Sequence, residues 1–210
     1  MMLPKGWTRA PLGECARFLS GNTPSKEDTD YWGGEFPWIT AKDMKRLCLN
    51  QSGLGLTANG KSVSTIAPAG SILVLTRGMT LLKDLPVGIA MREMAFNQDI
   101  KALVANEEIN PWFLAYQLIS NKSEILNLVD TAGHGTGRLD TDLLKQYEID
   151  LPPKKEQQAI SEAIQVWDRS IGLYEAQVAK LRVERRDLMR NLLTGKRRIS
   201  LSETDEDTSA

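Results

Sequence analysis

Between Ile160 and Leu192 the apolar residues keep a strict rhythm. They fall at Ile160, Ile164, Trp167, Ile171, Tyr174, Val178, Leu181, Leu188 and Leu192, in steps that alternate four and three. One step is missing, and Arg185 holds its place. This spacing lines one seam of a helix with a 3.5-residue period, the heptad pattern of a coiled coil. At 1.5 Å per residue the seam runs for roughly 48 Å. A chain of 210 residues has material for one ordinary core and little more. A core of that size cannot cover so long a seam, so the helix needs a second long helix beside it. An ordinary core helix is the competing reading, and both period and length disfavour it. Gly195 supplies the helix stop, with Lys196, Arg197 and Arg198 near its negative end. The expected helix is therefore 154–195. Residues 196–210 are a basic end and a tail, and 199–210 carry no periodicity and are expected to be disordered.

Residues 1–153 read as one compact mixed α/β domain. Gly6-Trp7-Thr8-Arg9 and Leu12 to Leu19 predict a short opening strand and turn. Gly21 to Ser25 is a loop, Pro37 to Thr40 a short strand, and Pro68-Ala69-Gly70 a turn before a buried strand over Ser71 to Thr76. Val87 to Met91 and Ile100 to Val104 predict further strands. Asn110 caps a helix whose first residue is Pro111 and which runs to about Ile119. A second helix is expected over Ser123 to Val129, a loop over Gly133 to Gly137, a short helix capped by Asp140 or Thr141, and a last strand over Tyr147 to Leu151. Leu151-Pro152-Pro153 ends the domain, since paired prolines stop helix and sheet alike.

The net charge of −1 hides a gradient. Residues 1–153 hold 15 Lys and Arg against 17 Asp and Glu, whereas 154–198 hold 11 against 6. The tail has Glu203, Asp205, Glu206 and Asp207 and no base. Such a balance permits nucleic-acid binding through local clusters and disfavours tight holding by charge alone. No apolar run reaches the ~18 residues of a membrane span. The opening Met1 to Trp7 has no apolar signal region, so a cytoplasmic protein with reduced Cys15 and Cys48 is expected.

The chemistry of an active site is hard to find. Leu151-Pro152-Pro153-Lys154 is the nearest approach to an adenine methyltransferase loop. It lacks the polar residue for the exocyclic amine and the aromatic that would stack on the base. No glycine fingerprint opens a helix. His134 is the only histidine, which disfavours triads and zinc and leaves it a loop or structural role; no metal site is expected. Asp43-Met44-Lys45, with Asp28 and Asp30 upstream, has the shape of a Mg²⁺ nuclease element. Asp43 capping a short turn is the plainer reading.

Residues suited to reading DNA are spread along the chain. Asn22, Thr23 and Ser25 lie in one glycine-bounded loop and Thr136 and Arg138 in another. Lys42, Lys45 and Arg46 follow a strand, and Arg77 follows the strand ending at Thr76. Thr80, Lys83 and Arg92 flank the next loop. Arg reads guanine with two bonds, and Asn or Gln reads adenine. Ser, Thr and Lys more often hold phosphates. A rigid strand end aims Arg77, which makes it the first candidate.

The ordered set of motifs resembles one half of a type I restriction–modification specificity subunit. It comprises Gly6-Trp7 with Leu12-Gly13-Glu14, Gly21 to Ser25, Tyr31-Trp32-Gly33-Gly34, and Pro37 to Thr40 with Asp43-Met44. Gly70 to Val74 with Arg77-Gly78, Asn97-Gln98-Asp99 and Gly135-Thr136-Gly137 follow. Leu151-Pro152-Pro153 with Glu156-Gln157, Leu188-Met189 and Leu192 to Lys196 complete it. The resemblance implies a globular domain that reads half of a split target in double-stranded DNA. It implies a spacer helix that pairs with another and docks the modification subunits, and no active site in this chain. S-adenosylmethionine, ATP and Mg²⁺ would belong to the modification and restriction subunits. Family members carry two recognition domains and two helices. With one of each, a homodimer through antiparallel helices (Ile160, Ile164, Trp167, Ile171, Tyr174, Val178, Leu181, Arg185, Leu188 and Leu192) is expected. A pure protein-binding assembly module is the remaining alternative.

Overall fold

The computed structural model describes residues 3–132 and 135–199. The chain opens with β1 (Thr8–Pro11), one helical turn α1 (Leu12–Cys15) and β2 (Ala16–Ser20). β3 (Trp32–Ile39), β4 (Cys48–Leu49), β5 (Leu54–Leu56) and α2 (Ala58–Ser62) follow. Then come β6 (Ile66–Ala67), β7 (Ile72–Leu75), β8 (Arg77–Gly78), β9 (Val87–Ala90), β10 (Met94–Phe96) and β11 (Ile100–Ala105). Helices α3 (Pro111–Ser120) and α4 (Lys122–Leu126) lead to β12 (Val129–Ala132), β13 (Thr136–Leu139), α5 (Thr141–Gln146), β14 (Glu148–Leu151) and α6 (Lys154–Leu193). The expected mixed α/β part and long C-terminal helix are both present.

The core is built on a five-stranded sheet in the order β2-β11-β7-β9-β4. Its central strand β7 is fully buried at all four residues. That explains why its sequence is a continuous apolar run and not an alternating one. Helix α3 adds Phe113, Leu114, Ala115 and Leu118 to the same core. Its start is the expected one: Asn110 Oδ1 accepts from Phe113 N at 3.0 Å, and Pro111 stands at the first position. A second, four-stranded sheet, β5-β3-β10-β6, carries a smaller cluster of Trp38, Leu56 and Ala95. β1 pairs antiparallel with β14, where Arg9 grips Asp150 through two bonds of 2.6 and 3.0 Å.

The chain divides into two compact units, Met1–Glu162 and Ala163–Ala210. The first turns of α6 therefore belong to the globular unit. Gln157 and Ser161 are buried, and Ile160 packs against the main core. Ile160 was expected to open the coiled-coil seam; it is occupied within its own unit because the helix is anchored there. In the second unit Trp167 and Tyr174 are 72% and 69% exposed, and Ile171, Val178, Leu181 and Leu188 are also exposed. α6 ends at Leu193, and Gly195 at φ +70° makes the stop.

Other expectations need correction. Leu12 to Cys15 is a helical turn before β2, because Ala16 begins the pairing with β11. Val129 starts a strand and does not end a helix. Thr136 and Arg138 lie on β13, not in a loop, because β13 pairs on both sides with β12 and β8. The glycines there had suggested a loop, but Gly137 serves close packing: a Cβ on it would stand 2.8 Å from Leu81 Cβ. Gly133 and His134, and the tail from residue 200, lie outside the described residues.

Candidate nucleic-acid interface

Strand directions gather most of the candidate residues at one end of the five-stranded sheet. Ser20 opposite Lys101, and Ile100 opposite Leu75, set the C-terminal ends of β2 and β7 beside the N-terminal end of β11. Val74 opposite Val87 adds the N-terminal end of β9, and the parallel pair Cys48–Ile89 adds that of β4. At this end lie Asn22, Thr23 and Ser25 after β2, Arg77 after β7, Lys83 before β9, and Lys45 and Arg46 before β4. Lys42 joins them from the C-terminal end of β3, where Asn97 N donates to Ile39 O at 3.0 Å. Arg92 does not: it follows β9 at the opposite end of the sheet, past the bond from Met91 N to Leu49 O. Periodicity could place it near a loop but could not say which end of the strand that loop serves.

The side chains within this group differ in what they are free to do. Asn22 is committed to the fold: its amide donates to Val63 O at 2.9 Å and accepts from Thr65 N at 2.7 Å. Ser25 is exposed, and its carbonyl accepts from Trp32 Nε1. Thr23 donates to Gln98 Oε1 at 2.6 Å. Lys42, Lys45, Arg46, Thr80 and Lys83 are exposed. Thr80 sits in a 3₁₀ turn, Met79–Leu82, anchored by buried Leu81.

Arg77 and Arg138 are cross-strand partners on β8 and β13. A cleft of about 250 Å³ beside them is lined by Thr76, Gln98, Lys101, Leu139 to Asp142 and the two arginines. The carbonyl of Asp99 fixes the backbone here, accepting from Thr76 N at 2.7 Å, Arg77 N at 3.2 Å and Thr76 Oγ1 at 3.1 Å. Gly78, at φ +149°, makes the turn that follows. Like charges directly opposite on a sheet are destabilising, and Asp130, the partner of Arg138 on β12, offsets part of that penalty. Asp140 lies 4.0 Å from Arg138, but it caps α5 by accepting from Asp142 N and Leu143 N. Those backbone bonds, more than Arg138, hold the Asp140 carboxyl below its usual range. Burial, and then Lys145, push the Lys101 ammonium below the usual lysine value.

The sequence reading missed Gln98 and Lys101. The available signal was the tight Asn97-Gln98-Asp99 turn between two apolar strands, which presents its middle residue outward. The nuclease-like Asp43 is a turn staple: it accepts from Thr40 N at 2.8 Å, Thr40 Oγ1 at 2.7 Å and Gly53 N at 2.8 Å. Among the described residues no three His, Cys, Asp or Glu side chains are grouped to hold a metal ion. No helix there is long and apolar enough to cross a membrane.

The globular unit is thus mixed α/β with a basic strand-end surface, and a long helix follows it in the chain. Residues 4–182 match the family described as type I restriction modification DNA specificity domain, and the chain belongs to that family. It is 32% identical over 160 residues to the type I restriction enzyme EcoR124I/EcoR124II specificity subunit of Escherichia coli, covering 75% of this chain and 40% of that one. It is 29% identical over 175 residues to the MjaIX specificity subunit of Methanocaldococcus jannaschii, covering 79% and 39%. Its fold is similar to the HsdS subunit from Thermoanaerobacter tengcongensis, at TM-score 0.63 and 20% identity over 84% of this chain and 41% of that one. A chain of a type I R-M system complex gives TM-score 0.69 at 19% identity, covering 90% and 45%. The chain spans about two fifths of the length of these curated relatives. Family membership favours DNA recognition over the nuclease reading.

Proposed function

We propose that the chain reads one half of a bipartite DNA target for a type I restriction–modification system and docks the modification and restriction subunits, with no catalysis of its own. The observation that carries this is the gathering of Thr23, Lys42, Lys45, Arg46, Arg77, Lys83 and Arg138 around one sheet end, in a chain of the DNA-specificity family. S-adenosylmethionine, ATP and Mg²⁺ act on the partner subunits, in the cytoplasm. The exposed row from Trp167 to Leu188 pairs antiparallel with that of a second copy. In a register centred near residue 176, Arg185 faces Trp167, Ile164 faces Leu188, Ile171 faces Leu181 and Tyr174 faces Val178. A guanidinium over the Trp167 ring gains roughly 0.5–2 kcal/mol and pins that register.

The test combines the full chain, the modification subunit of its own system, labelled S-adenosylmethionine and plasmid. Methyl incorporation should need both proteins and should fall in one sequence context. Equal methylation without the chain would contradict the proposal. So would Mg²⁺-dependent plasmid cleavage by the chain alone that is lost in Asp43→Ala.

A further inference from the structure

The Arg77–Arg138 pair is more specific than a basic patch. The bond from Leu139 N to Thr76 O, 2.8 Å, lies just outside it, so the two arginines form a non-hydrogen-bonded antiparallel pair. In such pairs the Cα atoms stand about 4.5 Å apart, closer than in the hydrogen-bonded kind. Cross-strand partners also leave the sheet on the same face. Both residues are exposed. Among the described residues Arg77 enters no ion pair; Arg138 has the Asp140 helix cap at 4.0 Å and, as its cross-strand partner on β12, Asp130. The backbone beneath is fixed by Asp99 and by the close approach of Leu81 to Gly137. Two forks of like charge are thus held side by side on a rigid platform, with their donors turned to solvent. Such a pair is stabilised by a ligand that accepts hydrogen bonds from both.

We propose that Arg77 and Arg138 form one guanine-reading pair that takes N7 and O6 of guanines in neighbouring base pairs from the major groove. The inference rests on the DNA-recognition function proposed above. The 3.4 Å step between base pairs is within reach of two long side chains starting about 4.5 Å apart. Gln98 lines the same cleft, held by Thr23. It adds an amide to the reading set. Lys101, half-buried and bonded to Ser20 Oγ at 2.7 Å, contributes positive field from below.

The experiment selects duplexes from a random pool with the full chain and its modification subunit, then titrates Arg77→Lys and Arg138→Lys on the enriched duplex at fixed salt. Lysine keeps the charge and loses the planar fork. Each variant should lose about tenfold to a hundredfold of the preference for guanine at its own position, and the two positions should be adjacent. Replacing those guanines by 7-deazaguanine, which lacks the N7 acceptor, should weaken wild type more than the matching variant. Wild-type guanine preference in both lysine variants would overturn the pair and leave DNA recognition standing, as would Arg77→Ala and Arg138→Ala weakening every sequence equally. A pool that shows no enrichment would overturn recognition and the pair together.

Discussion

Gln157 anchors the start of α6, and removing its amide should be among the most damaging single changes outside the apolar core. Its side chain is 3% exposed. Oε1 accepts from Asn110 N at 2.8 Å, and Nε2 donates to Pro152 O at 3.0 Å and, more weakly, to Glu108 O at 3.4 Å. In Gln157→Ala the Asn110 N–H loses its acceptor, at a penalty of about 1–3 kcal/mol, and the Pro152 carbonyl loses a bond worth about 0.5–1.5 kcal/mol. The sum is about 1.5–4.5 kcal/mol. For a chain of this size that lowers Tm by at least about 3 °C. Urea and thermal unfolding of the full chain, read by circular dichroism, measure it. Lys155→Ala, two residues earlier on the same helix and exposed, should stay within about 0.5 kcal/mol. If the two variants lose the same amount, or Gln157→Ala loses less than about 0.5 kcal/mol, the anchor does not hold the helix and the reasoning fails.

The Asp150 carboxyl is held below its usual range, first by its hydrogen bond from Arg9. A depressed carboxylate stabilises the fold above its ordinary value of 3.8 and loses that contribution as pH falls below it. The gap in urea midpoint between wild type and Asp150→Asn should therefore be full near pH 6 and close below about 3.8; a gap that stays constant to pH 2 would contradict this. Burial pushes the Cys15 thiol up, whereas Cys48 is exposed. Mass spectrometry after brief alkylation at pH 8 should find Cys48 modified and Cys15 modified only in denaturant; equal rates would refute the burial. For the proposed helix pair, mild oxidation of Trp167→Cys with Arg185→Cys, in a background with Cys15 and Cys48 replaced, should give a covalent dimer on a gel. Efficient dimer from Val178→Cys alone, with none from the double variant, would mean parallel helices.

Periodicity made the long helix legible, and Gly195 its end, because seam and stop are local features. The cap at Asn110 was legible for the same reason, and the second cap was narrowed to Asp140 or Thr141, of which Asp140 is the one. What eluded the sequence depended on partners far along the chain. Gly137 suggests a loop until β8 arrives to pair with its strand and Leu81 packs against it. Ile160 fits the heptad seam and also the main core, and only the anchoring by Gln157 and Ser161 decides between them. Arg77 is marked by the strand end before it, whereas Arg92 reads only as a loop-flanking cation; the sheet topology sends them to opposite ends. Arg138 gained its meaning from one cross-strand register, and Gln98 from a turn that the register brings to the same cleft.

The central claim is sequence recognition of split DNA. Selection of duplexes from a random pool by the full chain with its modification subunit, followed by sequencing, tests it most directly. The account predicts enrichment of one inverted repeat whose half-sites lie more than one helical turn apart on the same face of the duplex. A bound pool indistinguishable in sequence from the input would contradict it.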